Sequence, residues 1–207
     1  QILFSNITSV KGGDATDTIE GSLTWNLLST GFNASGIDFT SIETVNSTVG
    51  GTLNGTALAD QFTLGTNNQI KVQANTITFE NIASVVADGG DDEIVGASNQ
   101  VWQLSGTNNE IKANEVTFTQ VEKATNGTIV GTDEIDNFII SDDANTDKQV
   151  TANQILFSNI TSVKGGDATD TVSGSNTWNL LLEGFETSGI EFLDIVTANS
   201  ATAGTLN

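Results

Sequence analysis

Six residue types are missing from this chain of 207: proline, cysteine, methionine, tyrosine, histidine and arginine. Without cysteine there is no disulfide framework and no thiol nucleophile, and cysteine usage says nothing of the redox compartment. Without histidine the commonest general base and the imidazole of a serine triad are gone. Carboxylate pairs such as Asp14/Asp17 and Asp91/Asp92 remain, and such pairs serve glycoside hydrolysis. Among 26 acidic residues, however, they arise by chance, so no enzyme activity is expected. Positive charge is equally scarce: six lysines leave a net charge of −20. That balance repels nucleic acid and anionic membrane surfaces, which excludes both as partners. No uncharged apolar run is long enough to span a bilayer, so no membrane insertion is expected either.

What the chain has instead is repetition. "QILFSNITSVKGGDATDT" begins at Gln1 and returns letter for letter at Gln154, and residues 1–36 match residues 154–189 at 29 of 36 positions. The array reads as one continuous unit over 1–207, with a long repeat of 1–153 and a partial second copy over 154–207. The last phrase, "GTLN", stops where the same phrase stands at residues 51–54. An atypical capping unit normally closes a stack of repeats, so the expectation is a piece of a longer repetitive protein.

A shorter period lies inside the long one. The phrase apolar-x-Phe-x-x-apolar recurs around Phe4, Phe39, Phe79, Phe118, Phe157 and Phe192, at intervals of 35, 40, 39, 39 and 35 residues. Short units thus start near residues 1, 36, 75, 114, 153 and 189. Between these anchors stand Trp25, Phe62, Trp102, Phe138 and Trp178, which divide each unit into two anchored segments of about 19 residues. Apolar residues inside the segments alternate or come in short bursts rich in Ile, Val, Thr and Phe, bounded by Gly, Asn, Asp and Ser, which predicts strands and turns rather than helices.

The fold expected is all-β: a parallel β-solenoid, or β-helix, of about 11 coils with two coils per unit of 35–40 residues. A propeller blade needs four strands and a longer repeat, and an array of small sandwich domains fits neither the short period nor the missing prolines. Eleven coils at roughly 4.8 Å would make a rod near 50 Å long, with the six unit-starting phenylalanines in one axial file. Before each anchor comes a small turn former, Ser35, Asn75, Asn114, Asn153 or Ser188, suited to left-handed backbone and to a short ladder of stacked amides.

One motif carries a family likeness. "GGDATDTIE" at Gly12–Glu20 resembles the calcium-binding nonapeptide G-G-x-G-x-D-x-U-x of the RTX (repeats-in-toxin) proteins, with Gly12, Gly13, Asp17 and Ile19 in place and Ala15 standing for the fourth-position glycine. The copy at Gly165–Ser173 fits through Asp170 and Val172, and "ADGGDDEIV" keeps Gly90, Asp92 and Ile94 in register. "GTALADQF" and "GTDEIDNF" are weaker relatives, ending in Asp60/Phe62 and Asp136/Phe138. The resemblance implies calcium as the ligand, held by Asp14, Asp17, Asp91, Asp92, Asp167 and Asp170. Two features depart from the family. RTX nonapeptides run in tandem whereas these stand alone, and calcium wants six to eight oxygens. From the residues themselves the expectation is therefore a structural coil corner, with no cofactor required.

These features together resemble the stalks of RTX-type adhesins of bacterial surfaces. The likeness implies an extracellular or cell-surface structural segment, a rod that projects or polymerises, whose partners are further copies of the same repeat in the same chain or end to end. A calcium-binding or glycan-binding module is the alternative, and the assignment of most Phe and Trp to the core counts against glycans.

Overall fold

The structure, a computed structural model, describes residues 3–21, 24–72, 76–141, 148–174, 177–200 and 203–207. Among these residues every regular element is a strand. The chain opens with β1 (Ser9–Lys11) and β2 (Thr18–Glu20), then makes an antiparallel meander of β3 (Thr24–Leu27), β4 (Phe32–Ala34) and β5 (Ile37–Thr40). The long β6 (Thr44–Asn54) leads to a second meander of β7 (Gln61–Leu64), β8 (Ile70–Val72) and the first part of β9 (Ile77–Val86). After β10 (Glu93–Val95) come β11 (Val101–Leu104), β12 (Glu110–Ala113) and β13 (Val116–Thr119), the third meander. β14 (Lys123–Val130) precedes the fourth, made of β15 (Asn137–Ile140), β16 (Val150–Ala152) and the first part of β17 (Ile155–Lys164). β18 (Thr171–Ser173) precedes the fifth, β19 (Thr177–Leu180), β20 (Phe185–Thr187) and β21 (Ile190–Leu193), and the series ends with β22 (Thr197–Asn199) and β23 (Thr205–Leu206).

Between meanders the pairing is parallel, which makes the molecule a β-solenoid of about six turns. The pairings sort into two continuous walls. The first runs β2, β6, β9, β8, β7, β10, β14, β17, β16, β15, β18, β22. The second runs β1, β5, β4, β3, β6, β9, β13, β12, β11, β14, β17, β21, β20, β19, β23. β6, β9, β14 and β17 appear in both because each crosses from one wall to the other. Thr44–Asn46 of β6 lies beside β2, for example, while Thr52–Asn54 lies beside β3.

Parallel partners are offset by 26 residues at Thr18↔Thr44 and by 34 at Thr44↔Thr78, not by 19, so the eleven short coils expected are replaced by fewer, longer turns. The reason lies in the bends before the anchors. Ser35 and Gly36 have φ of 52° and 78°, Asn114 and Glu115 49° and 67°, Asn153 and Gln154 48° and 64°, and Ser188 and Gly189 51° and 70°. Two successive positive φ values make the type I′ turn whose twist matches an antiparallel hairpin. The two aromatic segments of a unit are therefore strands of one meander rather than successive coils. The corresponding bend at Asn75 lies outside the described residues.

Meanders alternate between walls, so the structural period is two units, visible in Trp25, Trp102 and Trp178 on the second wall at intervals of 77 and 76 residues. The anchor phenylalanines form two files for the same reason: Phe39, Phe118 and Phe192 line the second wall, Phe79 and Phe157 the first. Phe4, expected in the same file, is 73% exposed at the open end of the stack, whereas its copy Phe157 is fully buried. The core between the walls is aromatic where they meet, with Phe32 against Phe79 at 5.4 Å edge-on and stacked on Phe39 at 5.1 Å.

Two residues beyond each anchor the backbone turns left-handed: Asn6, Ser41, Asn81, Gln120, Asn159 and Asp194 all have φ between 52° and 58°. This corner carries the chain from wall to wall and returns the next apolar residue, Ile42, Ile82, Val121 or Ile160, to the interior. A β-branched residue resists this conformation. Gln120→Val is therefore expected to lower unfolding free energy by about 1–2 kcal/mol, while Gln120→Gly leaves it nearly unchanged, as read from urea denaturation.

Candidate functional site: a column of carboxylates

The acidic loops precede the first-wall strands β2, β7, β10, β15 and β18, and each delivers one Asp to the same place. Within a loop, Gly13 N–H donates to Asp17 Oδ2 at 2.6 Å and Gly166 N–H to Asp170 Oδ2 at 3.0 Å. In the weaker phrases a threonine takes the glycine's part: Thr56 N–H and Oγ1–H reach Asp60 Oδ2 at 2.6 and 2.9 Å, and Thr132 N–H and Oγ1–H reach Asp136 Oδ2 at 2.6 and 3.0 Å.

The second carboxylate oxygen ties one turn to the next. Asp60 N–H donates to Asp92 Oδ1 at 2.7 Å, and Asp136 N–H to Asp170 Oδ1 at 2.8 Å. Two glutamates that the motif comparison misses complete the column: Asp17 N–H donates to Glu43 Oε2 at 2.8 Å and Asp92 N–H to Glu122 Oε2 at 2.9 Å. Both stand four residues beyond an anchor, Phe39 and Phe118, on alternate units, a spacing visible only once the two-unit period is known. After Phe192 the same place is held by Val196, 68% exposed.

The glycines of the motif answer a packing demand. A Cβ on Gly12 would lie 1.9 Å from the Ser41 carbonyl oxygen, and one on Gly165 would lie 2.3 Å from that of Asp194. The first glycine lets the loop press against the backbone of the next turn.

The structure splits each pair of candidate ligands. Asp17 is half-buried, Asp92 and Asp170 are fully buried, and all three accept backbone amides. Asp14, Asp91 and Asp167 face solvent, and Asp91 pairs with Lys123. Among the described residues no group of three or more acidic, histidine or cysteine side chains is arranged to hold a metal ion. Nor does an aromatic platform face outward on the tryptophans. Trp25, Trp102 and Trp178 are buried, and their indole N–H groups donate to Ser47 Oγ, the Asn126 carbonyl and Ser200 Oγ at 2.7, 2.6 and 2.8 Å.

The amide ladders differ from those expected. Among the described residues no side-chain amide bond joins the left-handed bends at Ser35, Asn114, Asn153 and Ser188, and stacked amides are found along the strands and at the Asn81 corner instead. Asn54 donates to Asn26 at 2.7 Å, Asn81 to Asn46 at 2.6 Å and Asn207 to Asn179 at 2.9 Å.

Asp92 is the exception in the column. Its Oδ2 is buried without a hydrogen-bond partner, because the position four residues earlier is Asp88, in left-handed backbone with φ of 75°. Burial foremost pushes the Asp92 carboxyl up to about 6. The Asp60 amide opposes that shift, and the negative charges of Glu122, Asp60 and Asp88 reinforce it. The group is sealed inside the stack and offers no proton to a substrate.

No family model, no curated protein and no solved structure matches the chain.

Two stability measurements test the column. Asp170→Ala strands the amides of Gly166 and Asp136 and should cost roughly 2–4 kcal/mol, whereas Asp167→Ala, three residues earlier in the same loop but turned to solvent, should cost almost nothing; equal losses would point to a shared ligand rather than a staple. For Asp92 the folded value lies above the ordinary 3.8, so protonation favours folding: the penalty is absent below about pH 4 and complete above about pH 6. Asp92→Asn keeps the acceptor for Asp60 and should stabilise the chain at pH 7 by up to roughly 3 kcal/mol, with the gain vanishing when melts are repeated near pH 3.5.

Proposed function

We propose that this chain is a structural spacer, a segment of an extracellular bacterial adhesin stalk or matrix fibre that projects as a rigid rod and makes no covalent chemistry of its own. The observation that carries this reading is the continuity of the two walls. The second wall alone places fifteen strands side by side, roughly 70 Å at the usual spacing between neighbours. Successive turns are joined by backbone ladders, by a shared apolar core, and at Asp17/Glu43, Asp60/Asp92/Glu122 and Asp136/Asp170 by carboxylates that accept backbone amides. The acidic exterior suits an exposed rod, since like charge keeps neighbouring stalks apart and in solution.

Calcium belongs to this reading as a test rather than a requirement. The inward carboxylates already hold backbone amides, so ionic strength should matter more than the identity of the cation. A melting temperature raised equally by NaCl and by calcium at matched ionic strength, and untouched by chelator, is the expected result; a calcium-specific rise of the size expected from saturating a binding site, about 2.7 kcal/mol at a hundredfold excess over Kd, would turn the column into a metal device.

Shape is the more direct measurement. A globular chain of this length has a radius of gyration of about 17 Å, whereas a rod roughly 70 Å long has one of about 21 Å or more. Small-angle scattering on the dilute chain should give the larger value, and a value near the smaller would remove the spacer reading.

A further inference from the structure

Six asparagines stand in the phrase Asn-x-Ser/Thr: Asn6, Asn33, Asn46, Asn54, Asn126 and Asn159. That phrase is the acceptor of N-linked sugars, in which the asparagine amide takes the sugar and the hydroxyl two residues on is read with it. The fold treats the six differently. Asn33 Nδ2 donates to Asp38 Oδ1 at 2.6 Å, Asn54 Nδ2 to Asn26 Oδ1 at 2.7 Å and Asn126 Nδ2 to the Gly96 carbonyl at 2.8 Å. Asn46 lies within β6 and accepts the Asn81 amide at 2.6 Å. All four are half-buried.

Asn159 is exposed at the left-handed corner of β17, with φ of 55°, and among the described residues its side chain has no hydrogen-bond partner. Ile160 beside it is fully buried, and Thr161 is exposed again. This alternation turns the two groups of the phrase to solvent together and the middle residue inward. β14 flanks the corner on one side and β16 and β21 on the other, so the exposure belongs to the turn and not to either end of the chain. Asn81 occupies the same corner in β9 and shows what sets Asn159 apart. Its Nδ2 is held by Asn46 Oδ1 and the Ser47 carbonyl at 2.6 and 3.2 Å, and Ala83 stands where Thr161 stands. Beside Asn159 the place of Asn46 is taken by Thr125, and the amide is left to solvent.

The surroundings suit an anionic sugar donor. The segments 47–51, 81–83, 96–100, 126–127 and 159–161, which carry the chain from the first wall to the second, hold no charged residue. The acidic loops return it along the opposite edge. A sugar activated as a phosphate ester is negative, and a chain of net charge −20 repels it least along the uncharged edge.

We propose that Asn159 is the acceptor of an N-linked sugar delivered from a glycosyl phosphate carried on a nucleotide or on a lipid. Asn159 Nδ2 attacks C1 of the sugar, the C1–O bond breaks and its electron pair leaves with the phosphate, and one amide proton passes to a base of the transferase while the other stays on the new N–C1 amide. The sugar supplies on this edge the bulk and solvation that carboxylates supply on the other. Asn6-Ile7-Thr8 repeats the phrase at the same left-handed corner of the long repeat, which sets one sugar per long repeat, always on the same edge. The inference stands apart from the spacer reading, since a rod without sugar is still a rod.

Asn6→Gln removes the copy and leaves Asn159 as the exposed phrase. The folded Asn6→Gln chain is incubated in one arm with a soluble asparagine glycosyltransferase and UDP-glucose, and in a second arm with an oligosaccharyltransferase and a lipid-linked oligosaccharide, and intact mass with peptide mapping locates the sugar. One sugar is expected, at Asn159, and the arm that yields it identifies the donor. Asn159→Gln and Thr161→Ala abolish it, and Thr161→Ser keeps it. Ala83→Thr, which completes the phrase at Asn81, adds no second sugar to the folded chain but does so once proteolysis has freed the Asn81 amide. Sugar on Asn33, Asn46, Asn54 or Asn126 of the folded chain as readily as on Asn159, or none on Asn159 in either arm, overturns the assignment. Small-angle scattering of the bare chain reads the spacer separately, so the loss of one leaves the other standing.

Discussion

A strand that serves two walls must turn its apolar face over halfway along, and this constraint governs the rest of the molecule. In β9 the inward residues are Ile77 and Phe79, two apart, then Ile82 and Val85, three apart. In β17 they are Ile155, Phe157, Ile160 and Val163. Plain β geometry alternates faces at every residue, so a phase change needs one residue of different backbone. Asn81 and Asn159 supply it with φ of 56° and 55°. The corner fixes where the chain changes walls, hence which strands lie side by side, hence where the acidic loops fall.

Most of the raw material for this was legible in the amino-acid sequence. The phrase apolar-x-Phe-x-x-apolar already contains the three-residue step of the corner, and the anchors it marks, Phe4 aside, are all buried. The connection between strands was less legible, because a period of two is the same for parallel and antiparallel neighbours. The turns that would have announced hairpins are partly disguised: Asn114-Glu115 and Asn153-Gln154 hold positive φ at residues with full side chains, without the glycine seen at Gly36 and Gly189. The two-unit period was likewise hidden, since both kinds of unit carry the same phenylalanine phrase and differ mainly in whether tryptophan or phenylalanine opens the meander.

The candidate site shows the same division. Asp17 and Asp170 stand at the motif's aspartate position, and a coil corner there was readable; that each carboxylate accepts the amide four residues back was not. What the letters do not distinguish is a carboxylate holding amides from one holding a cation, because both need a tight loop with glycine at its start. The difference emerges from the neighbouring turn: Gly12 presses on the Ser41 carbonyl, and Glu43 of that turn accepts the Asp17 N–H on its carboxylate and donates its own N–H to the Asp17 carbonyl. A chain with so little positive charge thus fastens its turns with negative groups on backbone N–H donors, which carry partial positive charge at every residue without any lysine or arginine.

The alternation of meanders has a consequence for the line the rod follows. A meander lengthens its wall by two extra strands while the opposite wall gains none, so a single meander acts as a wedge that bends the axis away from its own side. Wedges on one wall only would add up, and the stack would arc toward a ring. Here the second and fourth wedges face the first, third and fifth, so successive bends oppose one another. A stack that kept this alternation would hold its heading rather than close into a ring.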